Sequence, residues 1–220
     1  MNRNTSFRTN RIFQILYPLL VYFILYQFSA KIFLAIVPPS LGRLFALFLA
    51  AWVTYPAIFA IYRKVPIVRN EKLFSRKDLK MDVSLILLIV VVGVLVNVLI
   101  SHTPLVDMSE AYKHANKELY DGAIWVKLIT NCLMIPILEE TLFRGIIAAQ
   151  IDLWYGRVAA VIVSSLLFGM FHFNLVQLLY AFLIGALLAY AITKTHKLWV
   201  CIAAHSILNL IVVIVSVIKL

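Results

Sequence analysis

Charge, glycine and cysteine are all scarce in this sequence, and the shortages narrow the class of protein. Only 14% of the 220 residues are charged and 63% are hydrophobic, whereas soluble domains average roughly 45–50% apolar residues. The seven glycines form no obvious repeat. Cys132 and Cys201 lie in apolar runs with no metal spacing or redox motif, so we interpret both as small core residues. The composition is that of a membrane protein, and the length favours one domain.

Acidic residues are also few, and the net charge is +10, from 20 Lys and Arg against 10 Asp and Glu. No stretch interleaves basic and aromatic residues as a nucleic-acid-binding surface would, so we expect no nucleic-acid partner. In a membrane protein this excess indicates loops that face the cytoplasm.

Long apolar runs are what the sequence has in abundance. Runs of about 18 residues predict transmembrane helices, and seven such segments are 12–28, 44–62, 83–100, 123–138 with a continuation, 158–171, 175–192 and 198–218. Residues 29–37 can extend the first helix, and 143–155 is either a helix extension or a piece at the membrane interface. The predicted fold is an all-α polytopic membrane bundle of about seven helices, within a range of six to eight.

The basic loops predict the orientation of these helices. Arg3, Arg8 and Arg11 precede a first run that lacks a clean cleavage site, so we expect a retained helix with a cytoplasmic N-terminus. Segment 63–80 carries seven Lys and Arg residues, whereas loop 101–122 carries four acids against two lysines. This bias predicts that 63–80 lies inside and 101–122 outside. Seven spans would place the C-terminus outside.

Some of the apolar runs contain polar residues that a lipid-facing helix would not carry. Such residues usually face a cavity or a partner, and here they are Glu139, Glu140, Arg144, His172, His205 and Asn209. Residues four apart share a helix face, so Glu140 can pair with Arg144, and Asn209 can enter the same pocket as His205. Glu139 is turned by about 100° from Glu140. One carboxylate can therefore be held by Arg144 while the other stays free for chemistry.

This set of side chains suits peptide-bond hydrolysis. A water that attacks a carbonyl must lose a proton to a general base, often Glu or His. The tetrahedral intermediate carries an oxyanion, which needs hydrogen-bond donors. A Glu with a His can activate the water, while a second His and an Asn can donate to the oxyanion.

Three motifs in this order resemble those of a known family. Residues 139–144 (EETLFR) fit E-E-x-x-x-R, 168–172 (FGMFH) fit F-x-x-x-H, and 205–209 (HSILN) fit H-x-x-x-N. Together they resemble the CAAX prenyl endopeptidase and bacteriocin-processing family, also called the Abi family of intramembrane proteases. The resemblance covers a core at 123–215 and leaves 1–122 as accessory helices of one membrane domain, 1–220.

The resemblance implies a glutamate-dependent endopeptidase that needs no metal and has a cavity open to the cytosol. By motif, Glu139 and His172 would activate water, and His205 and Asn209 would form the oxyanion site. Glu140 and Arg144 would hold the site together. The implied partners are membrane lipid and a peptide or lipidated protein, of CAAX type or of leader-peptide type. The short, loop-poor chain favours a bacterial cell membrane and the leader type.

Several alternatives remain open from the residues alone. Glu140 and Arg144 alone are compatible with a structural ion pair at the inner interface, and Asn209 alone with a contact between helices. Two His and a Glu can bind zinc in hydrolases, but H-E-x-x-H is absent. A non-catalytic membrane scaffold or immunity protein would keep the same motifs for packing, and a transporter would require inverted repeats, which we do not detect.

Straight helices would not bring the three motifs to one depth. Threaded through the membrane, His172 falls near the outer end of the fifth helix and His205 near the inner end of the seventh. About 13 residues of helix, roughly 20 Å, separate these levels. We therefore expect short or broken helices, with Gly169 and Asn174 permitting a broken end beside His172, and a water-filled funnel below the inner headgroups.

Overall fold

A computed structural model describes residues 10–68, 76–113 and 123–218, so part of the basic loop (69–75) and of the acidic loop (114–122) lies outside the described residues. The helices are α1 Arg11–Ile36, α2 Gly42–Lys64, α3 Arg76–Ser101, the short α4 Pro104–Met108, a long α5 at 124–155, α6 Arg157–Met170, α7 Leu175–Thr195 and α8 Leu198–Ile218. No strand occurs in these ranges. The predicted all-α fold is confirmed.

The long apolar helices have the length and composition of membrane spans. In the described part of the chain, α1, α2, α3, α7 and α8 are each long and apolar enough to cross a membrane. Many of their large apolar side chains point outward, including Leu87 and Leu99 on α3 at 58% and 68% exposure. Such surfaces are suited to lipid and not to water. The protein is therefore an integral membrane protein.

The fourth predicted span is part of α5, a continuous helical run built from five pieces. Its α-helical pieces are Ile124–Ile129, Ile135–Glu140 and Ala149–Tyr155, and π-helical turns occupy Thr130–Met134 and Thr141–Ala148. Residues 143–155 therefore extend the helix, which resolves the two alternatives left by the sequence. The run is about 48 Å long at 1.5 Å per residue, and Glu139 lies near its middle. π-Turns often occur at functional sites, and the two here flank the Glu139–Glu140 pair.

A helical hairpin at Gly156 removes the difference in depth expected from straight helices. Gly156 has φ = 83°, a conformation that glycine adopts readily, and it joins α5 to α6. Glu139 and His172 lie at nearly equal distances from it along the sequence, so the antiparallel helices place them side by side. With 14 residues, α6 is about 21 Å long and is too short to cross a hydrocarbon core of about 30 Å.

The N-terminal helices pack directly against α5. Thr130 Oγ1 donates to the Leu44 carbonyl on α2 at 3.4 Å, and Gln150 Nε2 donates to the Gln14 carbonyl on α1 at 3.4 Å. A Cβ placed on Gly145 would lie 3.0 Å from the Tyr62 ring of α2, so glycine permits this close approach. The division into a 123–215 core and accessory helices 1–122 stays a prediction.

The basic end of the bundle is the end at which α1 and α6 begin and α5 ends. There the Arg11 guanidinium lies 5.8 Å from the Trp154 ring centroid and 5.1 Å from that of Tyr155. Arg157 lies 5.6 Å from the Tyr190 ring centroid and donates to the Thr193 carbonyl at 3.4 Å. These basic residues lie at one end of the bundle, and the membrane orientation stays a prediction.

A buried ion pair joins α3 to the turn before α8. Lys197 Nζ lies 2.8 Å from Asp82 Oδ2, and both side chains are 1% exposed. Asp78 Oδ2 is 3.5 Å from the same ammonium. Because both partners of the closest pair are buried, loss of one leaves the other without compensation.

We predict that Lys197→Met lowers the free energy of unfolding by about 3–5 kcal/mol, since it leaves Asp82 as an uncompensated buried charge. The double variant Lys197→Met, Asp82→Leu should recover most of this loss. Denaturant titration in mixed micelles measures both, and Lys113→Met, which removes the exposed pair with Glu110, is the control at less than about 1 kcal/mol. Equal losses in the single and double variants would contradict the prediction.

Candidate active site

The Glu140 carboxylate is the buried centre of the site. Its Oε1 accepts from Arg144 Nη1 at 3.0 Å and from His205 Nδ1 at 2.8 Å. Glu140 and Arg144 are both fully buried, and His205 is 9% exposed. The ion pair expected along one face of the fourth helix is therefore present, and His205 of α8 joins it.

Glu139 lies beside this cluster and is not part of its hydrogen bonds. Its Oε2 is 4.0 Å from His205 Nε2, and its side chain is 15% exposed. Both His172 and His205 lie close enough to act electrostatically on this carboxylate. The two adjacent glutamates thus differ in environment, because one is held by two hydrogen bonds and the other faces two imidazoles across a gap.

The Phe168 ring joins residues from all three motifs. The Arg144 guanidinium lies 4.2 Å from its centroid, and the rings of His172 and His205 have centroids 4.9 and 6.1 Å away. Phe143 packs edge-on against it at 5.1 Å. Phe168 belongs to a recognised motif, yet sequence reasoning assigned it no role. The signal that the sequence offered was its spacing of four residues from His172, since residues four apart share a helix face.

The backbone sets the tautomer of His172. Its Nδ1 lies 2.9 Å from the Phe168 carbonyl, and since a carbonyl only accepts, Nδ1 carries the proton. Nε2 of the neutral ring is then an acceptor. The ring sits in the non-helical turn 171–174 between α6 and α7, where Phe173 has φ = 54°. The broken end expected beside Gly169 and Asn174 is therefore found.

Asn209 is tied to the backbone of α5. Its Nδ2 donates to the Asn131 carbonyl at 2.8 Å. Asn131 lies in a π-turn, whose hydrogen bonds reach five residues ahead, and the residue five ahead is Pro136, which has no N–H. Asn209 thus ties α8 to the π-turn of α5 through this carbonyl. This contact uses one of its two amide hydrogens, and its role as an oxyanion donor stays a prediction.

Gly185 of α7 lets its helix approach the cluster closely. An added Cβ would lie 3.0 Å from Arg144 Nη2, 3.2 Å from Phe168 Cδ1 and 3.3 Å from Ser165 Cβ. Any larger residue would therefore have to displace the buried guanidinium or the Phe168 ring. Sequence analysis gave no reason to single out this glycine.

Two tyrosines of α1 border the site and were also missed. Tyr22 and Tyr26 stack with ring centroids 5.5 Å apart, and Tyr22 lies 5.9 Å from Phe171. The Glu139 carboxylate interacts electrostatically with both phenols. Tyrosine spacing of four on an apolar helix is ordinary, so only the spatial position distinguishes this pair.

His, Cys, Asp and Glu side chains are the candidate ligands for a metal ion. In the described ranges no group of three such residues has the arrangement needed to hold an ion. Glu140 already shares its bonded oxygen between Arg144 and His205, which leaves its second oxygen, Oε2, buried without a partner. Independence from metal stays a prediction.

The two glutamates should differ in their effect on stability. We predict that Glu140→Gln lowers the free energy of unfolding by about 3–5 kcal/mol, because Arg144 loses its buried counter-charge. Glu139→Gln should change it by less than about 1 kcal/mol, as for a weak ion pair. Thermal unfolding in detergent, with the two isosteric variants compared side by side, measures the difference. Equal destabilisation would refute the separation of their environments.

Comparison with known proteins agrees with the arrangement of the motifs. Residues 121–211 match the family model described as type II CAAX prenyl endopeptidase Rce1-like. The chain is 34% identical over 94 residues to a "Putative membrane peptidase YdiL" from Bacillus subtilis (strain 168), which covers 43% of this chain and 38% of that protein. The match thus spans less than half of the relative's length. No solved structure matches significantly.

These matches fall on the part of the chain that carries the site. The segment 121–211 contains α5, α6, α7 and the first part of α8, and therefore all six motif residues. This segment matches the family model, in agreement with the resemblance that the three motifs indicated.

Proposed function

We propose that the protein is an intramembrane endopeptidase that hydrolyses a peptide bond with a water activated by Glu139 and His172. The observation that carries the proposal is the separation of the two glutamates. Glu140 is fully buried and bonded to Arg144 and His205. Glu139 faces His172 and His205, and no Lys or Arg in the described part of the chain lies within ion-pair distance of its carboxylate. A purely structural charge cluster would have no need of the second carboxylate.

The proposed reaction begins with a water held between the Glu139 carboxylate and His172 Nε2. Glu139 takes one proton as the water oxygen bonds to the substrate carbonyl carbon, and the carbonyl oxygen becomes an oxyanion. When the C–N bond breaks, the protonated Glu139 returns that proton to the leaving amine. The products are a carboxylic acid and an amine, so the same base serves both halves of the reaction.

The remaining motif residues are assigned to the oxyanion and to positioning. His205 Nε2 can donate to the oxyanion when its ring carries both protons, since Nδ1 is bonded to Glu140. Asn209 has one amide hydrogen left beyond its bond to Asn131. Glu140 and Arg144 act as positioning residues that hold His205 in place. No step in this mechanism requires a metal.

The proposed substrate is a membrane-associated peptide or a lipidated protein. The family description names a CAAX prenyl endopeptidase and the relative is named as a membrane peptidase. Both CAAX-type tails and leader-type peptides are suitable. We propose a bacterial cell membrane, a cytoplasmic N-terminus at the basic end, and a cavity that opens to the cytoplasmic side.

We predict that Glu139→Gln lowers kcat by at least about a hundredfold, because general-base catalysis contributes roughly 10²–10⁴-fold. His172→Gln should have a similar effect, since it removes the second group that holds the water. Cleavage of a panel of lipidated and leader-type peptides by the purified protein in liposomes, followed by mass spectrometry, measures this effect. Lys113→Met, distant from the site, is the control with unchanged activity.

The same assay separates this proposal from its alternatives. Cleavage that survives both Glu139→Gln and His172→Gln would reject the catalytic assignment. Loss of cleavage on adding a chelator, restored by zinc, would favour a metalloenzyme. Saturable peptide binding without turnover by the native protein would favour a membrane scaffold or immunity protein.

A further inference from the structure

The motif residues supply the oxyanion with one permanent donor, the second amide hydrogen of Asn209. His205 Nδ1 faces a carboxylate, which only accepts, so Nε2 donates only when the ring carries a second proton. His172 is in the same situation, because its Nδ1 faces the Phe168 carbonyl. Asn209 has already committed one amide hydrogen to Asn131. A further O–H or N–H on the open side of Glu139 would complete the site.

α1 brings two tyrosines, Tyr22 and Tyr26, close to the turn that carries His172. Tyr22 lies 5.9 Å from Phe171, the residue before His172, and Phe171 in turn lies 5.5 Å from Phe143, four residues after Glu139. The Tyr22 ring therefore packs on Phe171, beside His172, and both rings pack against the core cluster that contains Phe143. Its electrostatic interaction with Glu139 agrees with this position.

Tyr26 supports Tyr22 from one turn further along α1. Their rings are stacked with an interplanar angle of 10°, and both are half-buried against the core around Phe143 and Leu142. Neither hydroxyl makes a hydrogen bond to a residue that the structure describes. A phenol keeps its proton at neutral pH and can both donate and accept, so each hydroxyl is available for a substrate oxygen.

We propose that Tyr22 is a catalytic residue whose hydroxyl donates a hydrogen bond to the substrate carbonyl oxygen as it becomes the oxyanion, with Tyr26 holding the ring in place. The inference rests on the proposed function and deepens it. The phenol keeps its proton and only donates a hydrogen bond to the oxyanion. The proton released by the attacking water goes to Glu139. The accessory helix α1 thereby becomes part of the active site.

The test compares three isosteric substitutions in the full-length protein, assayed with the peptide that the panel above identifies. Tyr22→Phe keeps the packing on Phe171 and removes only the hydroxyl, so we expect kcat to fall about a hundredfold, as for loss of an oxyanion donor, with KM within about twofold. Tyr26→Phe should lower kcat by no more than about threefold. Tyr155→Phe, at the basic end and 60% exposed, is the matched control with unchanged kcat.

A second measurement distinguishes donation from a structural effect. A peptide phosphinate, whose tetrahedral oxygens mimic the intermediate, should bind Tyr22→Phe more weakly by the factor lost in kcat. Binding of the intact peptide, measured with Glu139→Gln alone and combined with Tyr22→Phe, should stay the same. Thermal unfolding of Tyr22→Phe should match that of the native chain.

Each contrary result has a defined meaning. Native kcat in Tyr22→Phe, or a larger loss in Tyr26→Phe than in Tyr22→Phe, overturns the assignment to Tyr22. If Tyr22→Phe weakens the binding of the intact peptide as much as that of the phosphinate, Tyr22 is a wall of the binding site and not an oxyanion donor. If Glu139→Gln abolishes cleavage while Tyr22→Phe does not, the proposed function stands and this inference fails. If Glu139→Gln still cleaves, the proposed function itself fails.

Discussion

The site depends on one fully buried carboxylate, that of Glu140. A buried charge is costly unless it is paired and hydrogen-bonded, and here Arg144 and His205 both bond to the same oxygen. Arg144 lies on α5, as Glu140 does, and His205 lies on α8. The hydrogen bonds that stabilise this one carboxylate therefore also hold α8 against α5. Phe168 closes the cluster from α6 by covering the guanidinium. Loss of the Glu140 carboxylate would therefore weaken the contacts among α5, α6 and α8 at the same time.

Helix length and breaks determine the depth at which this cluster forms. The hairpin at Gly156 and the short α6 place His172 opposite Glu139, and the turn 171–174 leaves the helix at that level. Non-helical backbone inside a membrane is tolerated where it is buried in protein or lines a water-filled cavity. The π-turns of α5 add a second irregularity, and Asn209 donates to the Asn131 carbonyl in one of them. Irregular backbone thus accumulates where the proposed chemistry needs water.

Much of this arrangement was predictable from local patterns. Apolar run lengths predicted the helices, and the spacing of four predicted the Glu140–Arg144 pair, because both features depend on residues close in sequence. The different environments of Glu139 and Glu140 followed from the angle of about 100° between adjacent residues on one helix. The motifs in order indicated the family of residues 121–211 without any knowledge of distances.

Composition and spacing by themselves determined that the chain is a helical membrane protein in which three polar motifs interrupt the apolar sequence. Only the tertiary structure decided that His205 bonds to Glu140, that the Phe168 ring contacts both imidazoles, that Tyr22 packs on Phe171, and that Gly185 borders the cluster. The physical reason is that helix periodicity fixes which residues share a face, whereas tilt, depth and rotation of one helix against another arise from packing between segments far apart in the chain.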